Sequence, residues 1–142
     1  MARLRRQSDK ADVIASIPLF EGLTKREVAE IAKLVDELDV AEGTTLATEG
    51  EVARQVVVVL SGSAVVRRAG RKVAEVGPGD IVGEIGLVTH RPRNATVVTA
   101  TPSTILVLNG QAFDKVMQEL PSVARKVLQT VADRLAEATR TH

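Results

Sequence analysis

The sequence has 142 residues, enough for a single domain with a substantial hydrophobic core. With 19 basic and 18 acidic residues its net charge is +1, and only 1% of its residues are aromatic, so it lacks the positive field and the stacking side chains of a nucleic-acid-binding surface. The longest apolar run, residues 56–60, is too short to cross a membrane, and no apolar signal segment follows the basic N-terminus. The absence of cysteine excludes disulfides and thiolate metal sites. We therefore expect a soluble, cytoplasmic protein.

The N-terminal part of the chain has a helical pattern. Thr24 and Glu27 have the spacing of a capping box, and apolar residues then recur every three or four positions, which predicts a helix over about residues 24–37. A shorter helical piece is expected over residues 9–16, followed by an apolar turn. Together these elements form an N-terminal helical segment over residues 9–37.

Residues 38–109 have the pattern of a small β domain. Short segments rich in Val, Ile, Leu and Thr are separated by Gly and Pro every eight to twelve residues, which is typical of a β sandwich or roll. Turn sequences at 61–63 and 69–71 predict that the strands beside them form a meander with mainly local pairing.

Two helices are predicted after the β region, over residues 110–140. Asn109 is a candidate helix cap, and Pro121 suits the first turn of the last helix. The apolar face of that helix consists of Ala124, Val127, Leu128, Val131, Leu135 and Ala138. The expected fold is α+β and mainly β, one domain over residues 1–142 with helices on both sides of a β roll.

The segment 79–97 contains the residues that a small anionic nucleotide requires. Gly83 permits close approach of backbone to a ligand, and a short helix opening there would present free N–H groups. Glu84 and Arg93 add one carboxylate and one guanidinium within nineteen residues. The segment therefore predicts a pocket for a ribose phosphate.

Two motifs in this segment, Gly83-Glu84-Ile85-Gly86-Leu87 and Pro92-Arg93-Asn94-Ala95-Thr96-Val97, resemble those of the cyclic nucleotide-binding domain family. Further matches, such as Ile17-Pro18-Leu19-Phe20 and Gly77-Pro78-Gly79-Asp80, occur in the family's order over roughly residues 17–120. The resemblance implies a double-stranded β-helix, or jelly-roll-like β roll, flanked by helices. It also implies that residues 79–97 form a phosphate cassette that binds cAMP or cGMP.

The resemblance also implies roles for individual residues. Arg93 would hold the cyclic phosphate, Glu84 would accept a hydrogen bond from the ribose 2′-hydroxyl, and Arg134 or Leu135 of the last helix would cover the base. The candidate ligand-binding residues are Val82, Gly83, Glu84, Ile85, Gly86, Leu87, Arg93, Asn94, Ala95 and Arg134.

The sequence departs from the family pattern at three of these positions. Val82 stands where an aromatic residue is frequent, and Gly86 stands where alanine is usual. Asn94 stands where a hydroxyl is associated with cGMP, and its amide leaves the choice of base open. We favour cAMP.

The expected function is a regulatory module that is not an enzyme. Ligand occupancy would pass through the last helices to an effector protein in trans. The apolar stripe of the last helix is equally compatible with a homodimer. The alternative function is a degenerate cyclic nucleotide-binding fold that acts as a protein-interaction scaffold without ligand.

Other polar residues are interpreted without a function. His90 and His142 are too few for a metal site, so no metal cofactor is expected. Asp36, Glu37 and Asp39 are interpreted as a solvated acidic face near a helix end rather than as an acid–base pair. The N-terminal arginines at positions 3, 5 and 6 are interpreted as a solvated tail.

Overall fold

The structure, a computed structural model, describes residues 7–83 and 90–140. The helices are α1 (Gln7–Ala15), a 3-10 helix (Pro18–Phe20), α2 (Lys25–Leu34), α3 (Gly110–Glu119) and α4 (Pro121–Arg140). The strands are β1 (Asp36–Val40), β2 (Thr45–Ala47), β3 (Gln55–Ser61), β4 (Ala64–Arg68), β5 (Arg71–Val76), β6 (Ile81–Val82), β7 (Thr96–Thr99) and β8 (Ser103–Asn109). Glu84, Ile85, Gly86, Leu87, the predicted short helix that they begin, His142 and the N-terminal arginines lie outside the described residues.

The capping box that predicted α2 is confirmed. The Glu27 backbone N–H donates to the Thr24 hydroxyl at 3.1 Å, and the Thr24 N–H donates to the Glu27 carboxylate at 2.9 Å. The prediction that this helix continues to about residue 37 is wrong, because α2 ends at Leu34 and Val35 is already extended. Leu38, which continued the helical spacing in sequence, instead pairs with Ile105 in the sheet.

The described strands form two four-stranded antiparallel sheets, β1-β8-β3-β6 and β2-β7-β4-β5. The predicted meander is wrong at its first step, because β3 and β4 belong to different sheets. Among the described strand pairs, β4–β5 is a local hairpin, whereas β1–β8, β3–β8 and β4–β7 join distant parts of the chain. A turn sequence reverses the chain direction but does not determine which strand it will pair with.

Strand β3 contributes side chains to both hydrophobic cores. Its side chains alternate between two cores, and both faces are buried. Val56 and Val58 pack with the helices, in a cluster that includes Phe20, Ile31 and Phe113. Val57 and Val59 face the interior of the roll, in a second cluster with Leu46, Val76, Val97 and Ile105. The result is the expected β roll with flanking helices.

Helix α3 begins as predicted, since the Asn109 side chain accepts a hydrogen bond from the Ala112 N–H at 2.8 Å. The apolar face predicted for α4 is only partly buried. Val127 and Val131 are buried with Val123, whereas Leu128 and Leu135 are exposed. The homodimer suggested by this face stays a prediction. None of the helices in the described part of the chain is long and apolar enough to span a membrane.

The interpretation of residues 36–39 as a solvated acidic face is wrong for one of its members. Glu37 is only 1% exposed, because it lies on β1 and shares a sheet face with Leu106 of the helix-side core. Asp36 is exposed, and the Asp39 carboxylate accepts a hydrogen bond from the Thr104 hydroxyl at 2.8 Å. A strand sends neighbouring side chains to opposite faces, so three nearby acids do not form one solvated surface.

Candidate ligand-binding site

A small pocket of about 70 Å³ lies inside the β roll. Small-molecule sites usually have about 300–1,000 Å³, so this pocket is narrow. The lining residues are Ala47, Val66, Val76, Val82, Gly83, Arg93, Asn94, Ala95, Val97 and Arg134. The structure therefore brings six of the predicted site residues together: Val82, Gly83, Arg93, Asn94, Ala95 and Arg134.

Gly83 lies where strand β6 ends against β3. Val82 is buried and pairs with Val57, and Gly83 then takes a positive φ of +94°. A Cβ at this position would overlap Arg93 Nη1 and would lie 3.0 Å from the Gln55 carbonyl oxygen. The backbone conformation therefore favours glycine, and a Cβ at this position would force the Arg93 guanidinium to move.

The backbone of Arg93 is held by the loop between β2 and β3. Its N–H donates to the Glu51 carbonyl oxygen at 2.8 Å, and its own carbonyl accepts from the Gly50 N–H at 2.8 Å. Its side chain is half-buried, and Nη2 donates to the Gln55 carbonyl oxygen at 2.9 Å. The guanidinium is thus oriented at the pocket wall by contacts at both ends of the residue.

The residues after Arg93 are positioned by strand β4. The Asn94 carbonyl oxygen accepts a hydrogen bond from Arg68 Nε at 3.0 Å, while the Asn94 residue itself is exposed at the pocket edge. Ala95 is buried at 6% exposure, and its small side chain adds to the apolar wall. Within the cassette, the exposed Asn94 is therefore followed directly by the buried methyl group of Ala95.

The sequence left Arg134 and Leu135 of α4 as alternatives for the residue that covers the base, and Arg134 is the one that lines the pocket. Arg134 is half-buried and lines the pocket, whereas Leu135 is 46% exposed and is not among the lining residues. The described lining residues carry two guanidinium groups and no carboxylate. This wall favours an anionic ligand.

Four apolar residues of the pocket were missed from sequence: Ala47, Val66, Val76 and Val97. Strand alternation was the signal that could have found Val66, since it shares a face with buried Ala64. The Gln55 carbonyl was also missed, and backbone contacts of this kind leave no trace in residue type.

The described residues contain no group of three or more His, Cys, Asp or Glu side chains arranged to hold a metal ion. His90 is exposed and has a positive φ of +57°. Among the described residues, it does not form a metal-binding group with other His, Cys, Asp or Glu side chains.

A sequence model of the family described as "Cyclic nucleotide-binding domain" matches residues 37–120, more than half of the chain. The chain belongs to the cyclic nucleotide-binding domain family. The matched residues include most of β1, strands β2–β8, helix α3 and most of the pocket wall. Arg134 of α4 lies beyond the match, so its place in the pocket comes from the structure alone.

Relatives carry this family's domain in larger proteins. A cyclic nucleotide-gated potassium channel of Rhizobium etli is 30% identical over 122 residues, which cover 86% of this chain and 34% of the channel. The chain spans about a third of the length of the curated relatives it matches.

Solved structures share the fold. A variant of the cAMP-binding acyltransferase from Mycobacterium smegmatis has a TM-score of 0.76 at 28% identity, over 92% of this chain and 42% of that chain. The regulatory subunit of a cAMP-independent protein kinase A from Trypanosoma brucei has a TM-score of 0.84 at 24% identity, over 96% of this chain and 50% of that chain. The second likeness shows the fold alone.

Proposed function

We propose that this cyclic nucleotide-binding domain binds cAMP in the pocket described above and reports occupancy through helix α4 to an effector protein in trans. The observation that carries the proposal is the position of Arg93, whose half-buried guanidinium lies in the pocket wall and is oriented there by the Gln55 carbonyl oxygen. A half-buried guanidinium that faces a cavity is stabilised by an anion in that cavity.

Arg93 suits a cyclic phosphate for geometric reasons. A planar guanidinium presents donors on both sides of a fork and binds two phosphate oxygens at once, which a lysine ammonium does not. One donor already contacts the Gln55 carbonyl, and this contact orients the fork before a ligand arrives. We assign the phosphate of the ligand to this guanidinium.

The apolar part of the pocket supports the choice of cAMP over cGMP. Val66 and Val76 contribute side chains without hydrogen-bonding groups. Both bases have an exocyclic amine, but guanine adds a carbonyl and a ring N–H that would need partners when buried, and leaving them unsatisfied costs free energy. Asn94 lacks the hydroxyl that the family resemblance associates with cGMP. A neighbouring structure at 28% identity is also described as cAMP-binding.

Helix α4 connects the pocket to a second contact on the N-terminal helices. Arg134 lines the pocket, and two turns earlier Lys126 donates hydrogen bonds to the carbonyl oxygens of Glu21 at 2.8 Å and Pro18 at 3.3 Å. A ligand that draws Arg134 towards the base therefore also acts on the end of the 3-10 helix. We propose that the effector recognises this altered arrangement of α4.

Isothermal titration calorimetry with cAMP and cGMP tests the proposal. We expect binding of both nucleotides with preference for cAMP. Arg93→Ala should weaken binding by about 2–5 kcal/mol, or about 30- to 5,000-fold, the usual cost of removing one member of a buried charge pair. Arg26→Gln removes an exposed arginine of α2 and is the matched control. No binding of either nucleotide at high micromolar concentration would instead support the ligand-free scaffold. One structural neighbour with this fold is the regulatory subunit of a cAMP-independent protein kinase A.

The proposed role of Glu84 has its own test. If its carboxylate accepts a hydrogen bond from the ribose 2′-hydroxyl, 2′-deoxy-cAMP should bind more weakly than cAMP to the unmodified domain. Glu84→Ala should remove most of that difference, because the partner of the hydroxyl is then missing. Equal loss of affinity for both nucleotides in Glu84→Ala would contradict the assignment.

A further inference from the structure

Like charges face each other at the tip of the hairpin formed by β4 and β5. Arg67 is level with Lys72, and Arg68 is level with Arg71. All four residues are exposed. Like charges directly opposite each other on antiparallel strands destabilise the pairing. The hairpin therefore keeps an arrangement that strand pairing alone does not favour.

Carboxylates near the tip neutralise part of this charge. Lys72 Nζ forms a salt bridge with the Glu75 carboxylate at 2.6 Å, and this contact lowers the pKa of Glu75. The Glu49 carboxylate accepts a hydrogen bond from the Ala69 backbone N–H at 3.0 Å. Four cations thus lie beside these two carboxylates, and the tip keeps an excess of positive charge.

The tip lies beside the mouth of the pocket. Val66 of β4 and Val76 of β5 line the pocket, so the buried end of the hairpin is part of its wall. At the exposed end, Arg68 Nε donates to the carbonyl oxygen of Asn94, which lies at the pocket edge. A ligand that approaches this edge from solvent therefore passes the cationic tip.

We propose that the hairpin tip, residues 67–72, draws the anionic nucleotide to the mouth of the pocket and so raises its association rate. This inference rests on the function proposed above and adds a kinetic role outside the pocket. Charge of one sign near a binding site concentrates ligands of the opposite sign there, and the effect weakens as salt rises. Arg93 and Arg134, which line the pocket itself, would act after the ligand has entered.

Protection of the sheet edge does not account for the whole cluster. Strand β5 is an edge strand, and charged side chains on an edge discourage pairing with other chains. That explanation covers Arg71 and Lys72, which lie on β5. It does not cover Arg67, because β4 is an inner strand between β7 and β5, and Arg68 on the same strand is held by its hydrogen bond to Asn94. Attraction of an anion accounts for the charges on both strands.

Stopped-flow fluorescence with a fluorescent derivative of cAMP measures the association and dissociation rates. Arg67→Glu combined with Arg71→Glu reverses two charges at the tip and keeps Arg68, the residue that contacts the cassette, unchanged. We expect the association rate to fall about 5- to 15-fold at an ionic strength of about 10 mM, with the dissociation rate changed less than about twofold. At about 0.5 M salt the difference from the unmodified domain should nearly disappear.

A control changes the net charge by the same amount elsewhere. Arg26→Glu combined with Arg125→Glu reverses two exposed charges on α2 and α4, at positions that do not line the pocket. This variant should keep the association rate within about twofold. An equal fall in both double variants would show that only the net charge of the protein matters, and it would overturn the proposal.

The stability of the single variant Arg71→Glu separates attraction of the ligand from damage to the hairpin. It places opposite charges level with each other at Arg68 and residue 71, so the urea midpoint should stay the same or rise. A slower association in this stable variant supports the proposal. An unchanged association rate at low salt, with cAMP still bound, would refute the role of the tip and leave the proposed function standing. Absence of nucleotide binding in the unmodified domain would refute both.

Discussion

The Arg93 guanidinium donates a hydrogen bond from Nη2 to the Gln55 backbone carbonyl at 2.9 Å, which joins the phosphate cassette to the first residue of β3. The same carbonyl would lie 3.0 Å from a Cβ on Gly83. Gln55 of β3 and two residues of the cassette, Gly83 and Arg93, thus meet at one oxygen atom. The orientation of the arginine depends on the other two, and this dependence gives the first prediction.

Gly83→Ala should displace the Arg93 guanidinium and weaken cAMP binding at least about tenfold. The added methyl group would overlap Nη1, and the positive φ of +94° adds backbone strain of about 1–2 kcal/mol. Calorimetric titration with cAMP measures the loss of affinity, and urea denaturation measures the loss of stability.

Gly79→Ala separates these two effects. Gly79 also has a positive φ, +90°, but a Cβ there would meet only Pro18 Cδ, at an ordinary 3.8 Å. This variant should lose similar stability while keeping most of its affinity for cAMP. If both variants lost the same affinity, backbone strain and not the collision with Arg93 would be responsible.

Arg134→Gln should reduce cAMP affinity by about 2- to 30-fold. A guanidinium over an aromatic base contributes about 0.5–2 kcal/mol, and Arg134 is the residue of α4 that lines the pocket among those described. Asp133→Asn changes an exposed neighbour on the same helix and is the control in the same titration. Unchanged affinity in Arg134→Gln would remove this residue from the site.

Lys126→Met should lower the free energy of unfolding by about 1 kcal/mol. The ammonium group donates to the carbonyl oxygens of Pro18, the first residue of the 3-10 helix, and Glu21, the residue after it, and methionine keeps the apolar stem but cannot donate. Lys115→Met, at an exposed position of α3, should leave stability within about 0.5 kcal/mol. Urea denaturation of both variants measures the difference, and an equal effect at the two positions would argue against a specific contact.

Thr24→Ala should destabilise the domain by about 1 kcal/mol, because it removes the hydroxyl that accepts from the Glu27 N–H at the start of α2. Thr24→Ser keeps that hydroxyl and should retain most of the stability. Since no residue of α2 is among those that line the pocket, cAMP affinity should be the same in both variants. Thermal unfolding and titration together check this separation of stability from binding.

The starts of two helices could be predicted from the sequence, whereas the pairing of distant strands could not. The start of α2 and the start of α3 were predictable because Thr24, Glu27 and Asn109 cap their helices through contacts within three residues. The pairing of β3 with β8 was not, because the turn after β3 specifies only a local change of direction. The pairing of β3 with β8 depends on contacts between residues that are far apart in the chain.

The same distinction applies to the site. The residue types of the cassette predicted Gly83, Arg93, Asn94 and Ala95 as neighbours of one pocket, since they are close in sequence and chemically suited to a phosphate. The choice of Arg134 rather than Leu135 and the Gln55 carbonyl contact emerged only after folding. Sequence by itself determined the local caps, the mainly β composition and the chemistry of the cassette. Tertiary structure decided which distant backbone and helix groups complete the pocket, because those contacts depend on sheet pairing and not on residue spacing.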